Sequence, residues 1–106
     1  MKFEEVLVGL KEGKDIVNDN WNGLKTGKMM YVSLQRPDEN SLNTEPYFMF
    51  HSGLFAEEGS RIEGVKYDSS GWVWKRFPWT PSALDMMSEG WMYREDYKKK
   101  QDAMKD

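Results

Sequence analysis

The stretch Pro78-Trp79-Thr80-Pro81-Ser82 constrains the fold more than any other part of the chain, because it sets where a helix begins. Thr80 precedes a proline, so its backbone is pushed toward extended angles. That suits an N-cap, whose hydroxyl accepts an orphan helix N–H. Pro81 then fits the first helical position, where a missing N–H costs nothing. Ser82 and Asp85 offer a second register, a capping box. Both registers place backbone donors and the positive end of a helix dipole beside the Trp79 indole. A phosphate carrying a base can use such a site. The competing reading is an ordinary helix start with a packed Trp.

Upstream, Trp72, Val73 and Trp74 lead a strand that runs to Phe77. Trp72 and Trp74 lie two apart, so both point to one face, and Arg76 shares it. The two indoles are either a stacking platform or core. Arg76 can pair with phosphate through its planar fork. Trp21-Asn22-Gly23 is a further candidate site. An indole at a strand end can stack on a purine, an Asn both donates and accepts, and a Gly lets a backbone come close. An ordinary hairpin turn with Trp21 packed inward explains the same tripeptide.

The remaining elements follow from periodicity. Phe3, Val6, Leu7 and Leu10 form one apolar helical face, and Gly13 is placed to end it. Asp15 to Trp21, Met29 to Gln35 and Tyr47 to His51 read as strands, and Ile62 to Tyr67 as a weak one. Residues 36–46 and 52–61 read as loops. The helix after Pro81 carries Leu84 and Met87 and stops near Gly90, before a closing strand Trp91 to Tyr93. The charged residues 94–106 read as a solvated or frayed helical tail. The expected domain is therefore 1–93. Its fold is α+β, with two short helices covering one side of a small, mostly antiparallel sheet and one exposed sheet face, or an aromatic edge, left for partners.

Composition narrows the function. With 106 residues, the chain suits one domain. There is no Cys, so disulfides and thiolate chemistry are excluded. No apolar run is long enough to span a membrane, and the acidic start Met1-Lys2-Phe3-Glu4-Glu5 does not read as a signal peptide. The net charge of −3 argues against a uniformly basic, DNA-binding surface. A single histidine, His51, leaves no metal pair and no Ser-His-acid set, and the phosphate-loop and dinucleotide fingerprints are missing. The chain reads as a non-enzyme without cofactor or metal. Five Trp, five Tyr and five Phe exceed what a small core needs, and such an excess lines pockets or subunit interfaces.

The order of these motifs adds information. An N-terminal Phe-x-x-Val-Leu-x-x-Leu-Lys-x-Gly-Lys helix precedes Trp21-Asn22-Gly23. A Met30-Tyr31-Val32 strand, Pro78-Trp79-Thr80-Pro81-Ser82, Asp85-Met86 and Trp91 follow. This pattern resembles the second type of phage Thoeris anti-defence protein over residues 3–93. Residues 36–67 look like elongated loops relative to the family, and the tail lies outside it. The resemblance implies a sponge in the cytoplasm of an infected bacterium. It would hold glycocyclic ADP-ribose, the cyclic ADP-ribose isomer made by TIR-domain immune proteins, without cleaving it. It also implies a homotetramer with pockets between subunits, and in some members binding of cyclic oligonucleotides from CBASS immunity. On that basis Trp21, Trp72 and Trp74 stack on adenine or wall the pocket. Asn22, Thr80 and Ser82 bond ribose or phosphate, Arg76 opposes the pyrophosphate, and Gly23, Trp79, Pro81 and Asp85 complete the site. The rival classes are an interaction or structural phage protein using an aromatic face for assembly, and a phosphodiesterase that destroys the signal.

Overall fold

Apolar residues at helical spacing form α1 (Phe3–Lys11), and the glutamates of its first turn complement the helix dipole. The Glu5 carboxylate accepts the Lys2 backbone N–H at 3.3 Å. Gly13 follows at φ +87°, a conformation that favours glycine. The structure, a computed structural model, describes residues 1–21, 27–40 and 45–103. The expected turn at Asn22 and Gly23 lies outside these residues.

Five strands follow: β1 (Ile16–Asn18), β2 (Lys28–Gln35), β3 (Tyr47–Phe55), β4 (Trp72–Pro78) and β5 (Trp91–Tyr93). They form one antiparallel sheet in the order β4-β3-β2-β1-β5. The helices are α1, the short α2 (Ala83–Met87) between β4 and β5, and α3 (Arg94–Ala103) after β5.

The sheet buries apolar side chains on both faces. Ile16 pairs with Val32, and they face α1 with Val6, Leu10 and Trp91. Phe48 and Phe50 extend this layer. Strand alternation sends Val17, Met29 and Tyr31 to the opposite face, where Tyr97 of α3 packs on them with no exposed surface. Gln101, one turn further, donates its Nε2–H to the Lys28 carbonyl at 3.0 Å.

Several expectations are corrected. Among the described residues there are three α-helices, not two, and they lie on both sides of the sheet. Residues 94–103 form a packed helix, not a solvated tail, because Tyr97 anchors an otherwise charged segment. The strand expected from Asp15 to Trp21 stops at Asn18, whose Oδ1 accepts the Asn20 N–H in a side-chain turn. β3 continues past His51 to Phe55. No strand forms at 62–67; Gly64 at φ +87° turns the chain there.

Candidate functional site

The residues singled out from the sequence fall on opposite faces of the sheet. Trp21 and Trp79 sit on the α1 face. Trp21 is half-buried, with its ring centroid 5.1 Å from Phe50, 5.3 Å from Trp91 and 6.3 Å from Trp79. The contacts with Trp91 and Trp79 are edge-to-face, the arrangement that aromatic quadrupoles favour. Trp91 is buried and donates its indole N–H to the Asp85 carbonyl at 3.0 Å. Trp21 is thus the outer member of a packed aromatic cluster.

The helix start takes the second of the two sequence registers. Ser82 is the N-cap, and its Oγ accepts the Asp85 N–H at 3.1 Å. The Asp85 carboxylate accepts the Ser82 N–H at 2.8 Å. These two backbone donors are therefore occupied by the chain itself. Thr80 and Pro81 lie just before the cap, with Thr80 exposed.

Trp21, Asp85 and Leu84 line an open cleft of about 600 Å³, together with Asn18, Asn20 and Ser88. Asn18 Nδ2–H donates to Ser88 Oγ at 2.9 Å, tying the end of β1 to the end of α2. Gly90 lies on the same rim, where a Cβ would crowd the Asp19, Asn18 and Asn20 side chains. Asn18, Asn20 and Ser88 were missed from sequence. The polar run before Trp21 was the only local signal for the two Asn residues.

Trp72, Trp74 and Arg76 sit on the α3 face. The two indoles stack with centroids 5.4 Å apart and planes 19° from parallel. Arg76 Nε–H donates to His51 Nδ1 at 3.2 Å. That leaves the ring proton on Nε2, which donates to Ser33 Oγ at 2.8 Å. Burial, reinforced by the Arg76 charge, pushes the His51 pKa below its usual value. Tyr31 stacks on His51, and burial pushes its phenol pKa up. The Arg94 guanidinium lies 4.1 Å above the Tyr31 ring and pairs with Asp15 at 3.3 Å. Among the described residues, no three His, Asp or Glu side chains are grouped to hold a metal ion. No helix there is long and apolar enough to cross a membrane.

A family model described as the Thoeris anti-defense 2-like domain matches residues 1–93. The chain belongs to this family. No curated protein matches it in a sequence search. The Thoeris anti-defense 2-like match takes in every strand, α1, α2 and the Trp21 cleft. It ends at the last residue of β5, so α3 lies beyond the matched domain. Membership gives the chain a role in countering Thoeris defence.

Proposed function

We propose that this chain is a sponge that binds a cyclic ADP-ribose isomer made by TIR-domain immune proteins and holds it without cleaving it. The observation that carries the reading is the cleft in which the Trp21 indole, two Asn side chains, a Ser and an Asp converge, within an anti-defence domain. Trp21 offers a face for adenine. Asn20, Ser88 and Asp85 are suited to ribose hydroxyls.

A second copy of the chain completes this site. Leu84 and Met87 line the cleft and are 84% and 82% exposed. Apolar side chains at a cleft rim, on a helix that buries nothing within its own chain, suit a subunit interface. The acidic rim of Asp19, Asp85 and Glu89 means that the pyrophosphate must meet cations from elsewhere. A neighbouring subunit supplies them in this reading, because Arg76 lies on the other sheet face. Sequestration then works by mass action, with the sponge competing against the effector for free signal.

The test is recovery of the ligand. The protein is incubated with the cyclic ADP-ribose isomer, separated from unbound ligand and denatured by heat. Intact ligand in the supernatant is the expected result. Altered ligand would identify an enzyme, and no retained ligand would favour an assembly role.

A further inference from the structure

The groove between α3 and β4 is built partly by residues beyond the family domain. It has a volume of about 470 Å³ and is lined by Trp72 and Trp74 on the sheet and by Arg94, Lys98 and Asp102 on α3. That size falls in the range of roughly 300–1,000 Å³ typical of small-molecule sites. It opens on the face opposite Trp21 and needs residues 94–102, whereas the family match stops at 93.

We propose that this groove binds a nucleoside monophosphate, with its base against the Trp72–Trp74 pair and its phosphate at Lys98. The indole pair is fixed in place. Trp74 lies flat across Gly53 of β3, where a Cβ would come within 2.6 Å of the ring. Trp72 stacks with it, the two planes 19° from parallel. Such a platform stacks any base.

The charges on the helix side are divided between structure and ligand. Arg94 is held by Asp15 and by the Tyr31 ring. Asp68, on the opposite lip, is engaged by the turn it caps, accepting the N–H groups of Ser70 and Trp72 at 2.9 Å each. Lys98 is exposed and makes no ion pair among the described residues. Its ammonium is a point charge suited to a phosphate dianion. Asp102 lies one helical turn further on the same groove wall, also without an ion pair among the described residues. A carboxylate there suits ribose hydroxyls. An aromatic floor, an ammonium and a carboxylate in one groove match base, phosphate and sugar.

The site does not depend on the sponge reading, and its test separates the two. AMP is titrated into the full chain while the five indole N–H signals are followed by NMR. The expected result is saturable shifts at Trp72 and Trp74, with Trp21 and Trp79 unmoved. Lys98→Ala, on an exposed side chain, should weaken AMP binding roughly tenfold and leave adenosine binding unchanged, and Lys98→Arg should restore most of it. Absence of AMP binding, shifts centred on Trp21 and Trp79, or indifference of AMP to Lys98→Ala would each overturn the proposal.

Discussion

Tyr31 and His51 stack face to face, their ring centroids 4.3 Å apart and their planes 7° from parallel. The register pairs them directly across β2 and β3. Arg76 and Ser33 hold the imidazole edge, while Arg94 covers the other side of the sandwich at Tyr31. The assembly accommodates a neutral imidazole, since Arg76 and Arg94 oppose a second positive charge and Asp15 only partly offsets them.

That arrangement makes stability depend on pH. The folded His51 pKa lies below 6.5, so in the window beneath 6.5 the unfolded chain binds more protons than the folded one. Stability from His51 is complete above 6.5 and is lost as pH falls toward the folded pKa. Thermal unfolding at pH 7.5 and at pH 5 should show a larger fall for the wild type than for His51→Gln. Equal falls would show that His51 does not titrate across unfolding.

Tyr97 tests the contribution of α3. It is fully buried against Val17, Met29 and Tyr31. Tyr97→Ala should cost about 3 kcal/mol, by lost burial plus the cavity left behind. Chemical denaturation measures this directly. A change within about 0.5 kcal/mol, the range of ordinary surface substitutions, would mean that α3 does not pack on the sheet.

Trp21 serves both packing and, in the proposed function, the ligand. Trp21→Ala should lower affinity for the cyclic ADP-ribose isomer ten- to a hundredfold, the loss of one base stack of ~1–3 kcal/mol. It should also cost about 2 kcal/mol of stability, because the ring packs on Phe50 and Trp91. Trp21→Phe should recover most of the stability and part of the affinity. Calorimetric affinity unchanged in a folded Trp21→Ala protein would remove the stacking role.

The apolar rim of α2 predicts the oligomer. Leu84→Glu combined with Met87→Glu should leave the melting of the isolated chain nearly unchanged, since both side chains already face solvent. The same variant should shift the particle mass by light scattering toward a monomer and weaken ligand binding. A wild type that is monomeric at micromolar concentration would contradict the shared site.

Local patterns made much of this architecture legible. The spacing of Phe3, Val6, Leu7 and Leu10 predicts α1, and the alternation at Trp72-Val73-Trp74 predicts β4 and the common face of Trp72, Trp74 and Arg76. What stayed hidden depends on distant partners. Ser52-Gly53 reads as a loop because the reason for Gly53, the Trp74 indole lying across it, comes from another strand. α3 hides because Tyr97 is a lone aromatic among charges, and one anchor makes no period. The division of the candidate residues between two faces was out of reach for the same reason. Strand parity groups Trp72 with Arg76, but only the packed sheet shows that Trp21 and Trp79 join the side that α1 covers.

The short strand beside the sheet edge, β1, has a consequence for how the chain acquires its shape. β1 is three residues long and is flanked by β2 and by β5, which arrives more than seventy residues later. The β2-β3-β4 meander is local and can form while later residues are still being synthesised. β1 and α1 also need β5 to complete their packing. Until β5 closes the edge, the apolar surface of Val6, Leu10 and Ile16 is only partly covered. The earliest part of the chain to be made therefore completes its packing only when one of the later strands arrives.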